Sequence, residues 1–279
     1  MYKTMTKSKL EHLDKNKKYI IATDLDGTFL TNSNSGMLID NYRAVKAIKE
    51  TGNYFVIATG RSWWSTKMIY EQLELDTPSI HFSGVYVHNR KTNGNNNNPV
   101  EIYLDKLDQK FAINFVNEFD ILSKTNEFII VGKKYIAFFQ ETSNINDLFF
   151  EPYEIIVKMK PEYSNIEFAN KVRTFVEPKY KLRIWNNFTV GNSIDLVISP
   201  SGANKALGLE DVAKQLNIEQ ENVIYFGDNV NDLEALEWAG YSFAPSNAIP
   251  EAKEIADEVL ELSDAEGAVA KKILKLIYE

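Results

Sequence analysis

Two carboxylates one residue apart, followed by a glycine and a hydroxyl, end an apolar run in Ile20-Ile21-Ala22-Thr23-Asp24-Leu25-Asp26-Gly27-Thr28. The apolar residues read as a buried strand over about 18–23, bounded by turn residues. Acids at the carboxyl end of such a strand lie where open α/β sheets bind ligands. Burying two acids so close together is costly without a cation or a shared proton. A surface turn after a strand is the plainer reading of the same segment, and the rest of the chain has to decide between them.

Three further segments repeat the pattern. Tyr54-Phe55-Val56-Ile57-Ala58 reads as a strand ending in Thr59-Gly60-Arg61, which opens a helix. A hydroxyl and free backbone N–H groups at that junction make an anion site, although Thr-Gly also occurs in ordinary turns. Ser201-Gly202-Ala203-Asn204-Lys205 precedes another helix and puts Lys205 in its first turn. The macrodipole disfavours a cation there unless an anion compensates it. Asn222–Phe226 is a third strand-like run, ending in Gly227-Asp228-Asn229-Val230-Asn231-Asp232. A helix N-cap accounts for one of the two carboxylates and two amides in that cluster, but not for all four.

Together these residues meet each demand of phosphoryl transfer. Oxygen ligands from Asp24 and Asp228, with the backbone carbonyl of Asp26, suit Mg2+, which prefers hard octahedral oxygen sites. Asp24 could attack phosphorus to give an aspartyl-phosphate, and Asp26 could protonate the leaving alkoxide and then deprotonate water. Thr59, the Gly60 N–H, Lys205 and Asn231 would hold the phosphoryl oxygens, with Asp232 in support. No histidine is needed, and His12, His81 and His88 are expected to form no cluster.

The elements that position these residues alternate as βαβ units at both ends of the chain. Strand 18–23, helix 40–51, strand 54–58 and helix 62–74 come first. Helix 204–216, strand 222–226, helix 230–238, strand 241–244 and a closing helix near 265–278 come last. Such alternation implies a parallel sheet with helices on both faces. The helix at 40–51 has an apolar stripe of Ala44, Val45, Ala47 and Ile48, and Gly52 stops it.

The middle differs. Asp105–Lys124 places Leu107, Phe111, Phe115, Phe119 and Leu122 near helical spacing. The runs Glu127–Val131 and Tyr135–Phe139 are joined by Gly132-Lys133, a hairpin signal. A strand at 154–159, a helix at 163–176 and strands near 180–187 and 193–198 complete an α+β unit. The expected organisation is therefore a parallel core from 1–83 and 193–279, with an inserted domain at 84–192. Asn93–Asn98 reads as an exposed loop tip.

The bulk properties bound the partners. The chain has 279 residues, enough for two modest domains, and 44% are hydrophobic, enough for a real core. A net charge of -8 and a pI near 5.1 leave no basic surplus for nucleic acid. There is no cysteine, which excludes disulfides and thiolate catalysis and fits a reducing interior. Met1–Lys18 has no apolar core like a signal peptide's, and no run of about 18 apolar residues occurs. A soluble cytoplasmic protein with no membrane partner is expected; the oligomeric state is not readable.

The motifs Asp24-Leu25-Asp26-Gly27-Thr28, Thr59-Gly60-Arg61, Lys205 and Gly227–Asp232 resemble, in order, the four motifs of the haloacid dehalogenase-like superfamily of aspartate-nucleophile phosphohydrolases. The long insert and the run Ile194–Lys205 are similar to the Cof-like branch. The resemblance implies a Rossmann-like parallel-sheet core with an inserted, mobile α/β cap that sets specificity. It also implies Mg2+ and hydrolysis of small phosphorylated metabolites such as a sugar phosphate or a phosphorylated cofactor. The chain departs from the branch at Ser83-Gly84-Val85, where Asn-Gly-Ala is frequent. Transport ATPases resemble the first motif but carry Thr at the Asp26 position, so an acid there implies fast turnover of the phosphoenzyme. A phosphomutase or phosphotransferase needs the same two aspartates, and a catalytically silent metabolite-binding protein is the alternative from another class. Arg183, Trp185 and Asn186 could contact substrate from one cap strand, or pack and be solvated as strand alternation allows.

Overall fold

The computed structural model describes residues 10–31, 37–88, 106–132, 135–187 and 193–279; side chains at 185–187 fall outside that description. The Asn93–Asn98 segment and the side chains of Trp185 and Asn186 therefore lie outside the described residues. Two compact units emerge, one from Met1–Tyr103 with Asn204–Glu279 and one from Leu104–Ala203.

The first unit begins with β1 (Ile20–Thr23), α1 (Ile39–Glu50), β2 (Tyr54–Ile57), α2 (Trp63–Gln72), β3 (Ser79–His81) and β4 (Tyr86–His88). The second holds α3 (Gln109–Phe119), α4 (Ile121–Lys124), β5 (Thr125–Val131), β6 (Ile136–Phe139), β7 (Glu154–Met159), α5 (Ile166–Val176), β8 (Tyr180–Asn187) and β9 (Ser193–Pro200). The first unit then resumes with α6 (Lys205–Leu216), β10 (Val223–Phe226), α7 (Leu233–Trp238), β11 (Tyr241–Ala244), α8 (Pro250–Ile255), β12 (Glu258–Val259) and α9 (Ala268–Tyr278).

The first unit is built on a parallel sheet of order β12-β11-β10-β1-β2. Every residue of β1 and of β10 is buried, as expected of strands covered on both faces. Side chains alternate between two cores. Ile21, Ile224 and Phe226 pack with residues of α1 and α9, whereas Ile20, Ala22, Val223 and Tyr225 pack with residues of α6 and α7. The α1 stripe of Ala44, Val45, Ala47 and Ile48 is buried as its spacing requires, and Gly52 at φ 70° follows it.

The order of the strands places the site. From β1 the chain crosses to β2 on one side, and later returns to β10 on the other side of β1. The strand order thus reverses between β1 and β10, and the crevice at their carboxyl ends is where such sheets bind ligands. Thr23 lies level with both Ile57 and Phe226, so the three strand ends that lead into the sequence motifs finish side by side.

The second unit carries an all-antiparallel sheet of order β6-β5-β7-β9-β8, with a core that includes Phe115, Phe128, Val157, Val172 and Ile198. Its bounds differ from the expected 84–192. Among the described residues β4 pairs only with β3, and it stays in the first unit, whereas β9 sits between β7 and β8 and belongs to the antiparallel sheet. The helix expected across 105–124 is broken at Asp120, whose left-handed φ of 48° separates α3 from α4. Arg183 is buried rather than free for a ligand or solvated. Its Nη1 donates to Ser199 Oγ at 3.0 Å and its Nη2 to the carbonyl of Ala203 at 3.2 Å.

Candidate active site

Asp24 follows β1 directly, and its N–H continues the sheet pairing to the carbonyl of Phe226 at 2.9 Å. Its carboxylate is buried and meets Lys205 Nζ at 2.9 Å. Lys205 is fully buried at the start of α6 and reaches Asp232 Oδ1 at 2.6 Å. The anion that its position in a helix first turn calls for is thus supplied twice by the protein itself.

Asp232 is the organising acid of the cluster. Oδ1 accepts from Lys205 and from the Tyr225 hydroxyl at 2.6 Å; Oδ2 accepts the N–H groups of Asp228 and Asn229, each at 3.0 Å. Four donors on two oxygens leave little capacity for anything else. In the sequence Tyr225 reads only as part of an apolar strand. The signal that it does more is the hydroxyl, since a buried tyrosine needs a partner. Asp228 accepts a hydrogen bond from the hydroxyl of Thr28, which ties the first motif to the last.

Carboxylate oxygens of Asp24, Asp228 and Asp232 lie within 4.8 Å of one another. Burial pushes the Asp24 carboxyl up from 3.8 to about 7, with Lys205 opposing and Asp232 adding to the shift. Burial likewise pushes Asp228 up to about 8, reinforced by the charges of Asp232 and Asp24. Three acids crowd one ammonium, so a cation is what this pocket lacks electrostatically. The donors are hard oxygens, and Asp24 and Asp228 retain the lone pairs that Asp232 has used. The set fits Mg2+.

Asp26 points elsewhere. Its carboxylate forms a forked pair with Arg61, whose Nε donates to Oδ2 at 2.8 Å and whose Nη2 donates to Oδ1. The side chain of Asp26 is 52% exposed, in contrast to the buried acids. Behind it, Asn247 Nδ2 donates to the carbonyl of Gly27 at 2.8 Å, fixing the turn that both aspartates flank. No local sequence signal marks either contact, because each bridges segments far apart in sequence.

Thr59 is fully buried at the end of β2, its hydroxyl accepting the Arg61 N–H at 3.1 Å. Gly60 and Asn231 converge, since a Cβ built on Gly60 would stand 3.6 Å from Asn231 Nδ2. The site residues expected from sequence thus fall into a buried group of Asp24, Lys205, Asp228 and Asp232, a Gly60–Asn231 pair, and the Asp26–Arg61 fork. The only close group of titratable side chains that could hold a metal among the described residues contains no histidine, although two of the three histidines are neighbours. His81 and His88 share one face of the β3–β4 hairpin, with Trp63 stacked on His88 at 3.6 Å. Burial and the neighbouring His88 push His81 down to about 3, so it is held neutral.

The parallel sheet thus carries its buried acids and lysine at the switch point where such sheets bind ligands. A sequence profile described as haloacid dehalogenase-like hydrolase matches residues 21–273, and the chain belongs to that family, in its Cof-like branch. Among similar relatives is the 5-amino-6-(5-phospho-D-ribitylamino)uracil phosphatase YitU of Bacillus subtilis. It is 28% identical over 262 residues, spanning 90% of this chain and 95% of the relative. A second B. subtilis phosphatase of that description, YcsE, is 27% identical over 257 residues, spanning 91% and 94%. A haloacid dehalogenase-like hydrolase from Bacteroides thetaiotaomicron shares the fold at a TM-score of 0.75 and 19% identity, over 93% of this chain and 100% of that one.

Proposed function

We propose that this enzyme, a haloacid dehalogenase-like phosphatase, cleaves phosphomonoesters of small metabolites with Mg2+ through an aspartyl-phosphate on Asp24. The observation that carries the reading is the buried Asp24–Lys205–Asp232 chain beside Asp228 at the switch point of the sheet. Asp24 and Asp228, with the Asp26 carbonyl, would hold the ion, which supplies positive charge that lets an anionic carboxylate approach an anionic phosphate.

The chain's own residues divide the remaining work. An Asp24 oxygen attacks phosphorus, the bond from phosphorus to the ester oxygen breaks, and Asp26 gives that oxygen its proton. Asp26 then takes a proton from water as the water attacks phosphorus, releasing phosphate and restoring the Asp24 carboxylate. Lys205, Gly60 and Asn231 spread the charge of the transferring group, with Thr59 at the end of β2 beside them. To donate, Asp26 has to leave at least one arm of the Arg61 fork, which its half-exposed position permits. Replacing Asp26 by Ala is expected to lower kcat by about 10²–10⁴ while leaving Mg2+-dependent stabilisation in place. Parental hydrolysis in that variant would remove Asp26 from the proton path.

The metal reading has its own test. Groups whose native pKa is raised lower stability as pH climbs, because the unfolded chain ionises first. For Asp24 and Asp228 that loss runs from the ordinary carboxyl range up to about 7 and about 8, and levels off above. A bound ion displaces the same protons, so its affinity rises over the same window. The gain in melting temperature on adding Mg2+ is therefore expected to be larger near pH 8.5 than near pH 6, by roughly several degrees for a protein of this size. A gain independent of pH would separate the metal from these two acids.

The substrate is placed among small phosphorylated metabolites, and the first compound to assay is the phosphoribitylaminouracil for which two relatives are named. Among the described residues no helix is long and apolar enough to cross a membrane, which together with the lack of cysteine supports the cytoplasmic reading. A Mg2+-dependent screen over phosphorylated metabolites, with Asp24→Asn as blank, tests the proposal. Release of phosphate supports it, and isomerisation of a sugar phosphate without phosphate release would make the enzyme a mutase.

A further inference from the structure

Three successive residues in the first unit have left-handed backbones: Phe82 (φ 50°), Ser83 (φ 53°) and Gly84 (φ 103°). Two of the three carry a Cβ, and strain of this kind persists where surroundings enforce it, most often at functional sites. Here the enforcement is visible. The Phe82 N–H donates to the carbonyl of Arg61 at 3.2 Å and the Ser83 N–H to that of Thr59 at 3.0 Å. A Cβ on Gly84 would meet the Asn204 carbonyl oxygen at 2.0 Å, so the turn is wedged against the residue that caps α6.

This turn holds the Ser83 hydroxyl in a buried position over the anion-binding pair. Asn231 Nδ2 donates to Ser83 Oγ at the long distance of 3.5 Å. A Cβ built on Gly60 would stand 3.5 Å from Ser83 Oγ and 3.6 Å from Asn231 Nδ2, so both polar atoms face the same point above Gly60. The hydroxyl proton of Ser83 finds no acceptor among the described residues. A buried donor is costly without an acceptor, and one set beside an amide and a glycine at a strand end calls for an oxyanion.

We propose that Ser83 is a phosphate-binding residue whose hydroxyl donates to a non-bridging phosphoryl oxygen of a phosphomonoester, alongside Gly60 and Asn231. The assignment rests on the phosphatase reading and adds a residue from outside the four motifs to its site. It gives the strained turn a task, since the same left-handed bend could be made by glycine at no steric cost.

The test uses the full chain with Mg2+, p-nitrophenyl phosphate as substrate and orthovanadate as the phosphoryl probe. Ser83→Gly keeps the left-handed backbone and deletes the hydroxyl. Ser83→Ala deletes the same group without loosening the chain, and Ser83→Asn tolerates the backbone and restores a donor. In Ser83→Gly and Ser83→Ala, vanadate inhibition should weaken and kcat/KM should fall by about 10–100-fold, the range of a hydrogen bond to a charged group. The Mg2+ concentration for half-activation should stay at the parental value, and Ser83→Asn should recover most of the loss. Parental vanadate inhibition in whichever hydroxyl-deleted variant folds would overturn the assignment while leaving the phosphatase reading intact. A parent that is inactive on every phosphomonoester tried would overturn both.

Discussion

Asp24→Asn is expected to lower turnover of p-nitrophenyl phosphate by about 10⁴-fold or more while leaving the fold intact, because it deletes the proposed nucleophile and nothing else of comparable size. The asparagine keeps the shape of the side chain, so the packing at the end of β1 is undisturbed. Its charge is the one that burial already opposes, with the Asp24 carboxyl pushed up to about 7. Removing that charge relieves desolvation, the largest influence on this group, and gives up the opposing Lys205 contact, which leaves the carboxyl raised on balance. Without Mg2+ the variant should therefore melt at or above the parental temperature. The added stability from Mg2+ should shrink, since one of the carboxylates proposed to hold it is gone. Activity near the parental level would assign the nucleophile elsewhere. A large drop in melting temperature would mean that the loss of turnover reports unfolding instead.

Lys205→Met should have the largest effect on stability. Lys205 is fully buried against Asp24 at 2.9 Å and Asp232 at 2.6 Å. Replacing it with a flexible apolar chain of similar length keeps the volume and strands two buried acids. Breaking a buried ion pair by removing one partner costs about 3–5 kcal/mol. Urea denaturation of metal-free protein would read this directly. The double variant Lys205→Met with Asp232→Asn should recover part of the stability and none of the activity, because the recovered part is charge balance and the missing part is the proposed phosphoryl stabilisation. Parental stability in Lys205→Met would mean that Asp24 and Asp232 are neutral in the native protein and that the lysine is not their counter-ion.

The contrast between these variants follows what sequence could and could not reveal. Asp24, Lys205, Asp228 and Asp232 were legible because each polar group stands where an apolar strand run or a helix start ends, a purely local pattern. The parallel core was legible for the same reason. What could not be read are contacts made by remote segments. The Asp26–Arg61 fork bridges two strand ends, and Ser83 meets Asn231 through a turn whose left-handed backbone no propensity favours. The expected and observed bounds of the second unit differ at this end because the run Ser193–Pro200 announces a strand without saying which sheet it joins. The break at Asp120 escaped because Phe115, Phe119 and Leu122 keep helical spacing across it.

Ile20 lies beside Val223 in the sheet, so the two halves of the first unit meet only after the stretch between them has been made. Contacts at that separation form late, since a long loop must close before they reward it. Leu104–Ala203 is continuous and pairs its strands within itself, and so can mature first. During synthesis Asp24 therefore waits at the edge of an unfinished sheet, its lysine and its fellow acids still inside the ribosome. When residues 205–232 emerge, sheet closure and the assembly of the charged cluster become one event. A chain truncated before that point carries Asp24 without the lysine and the acids that surround it in the finished fold.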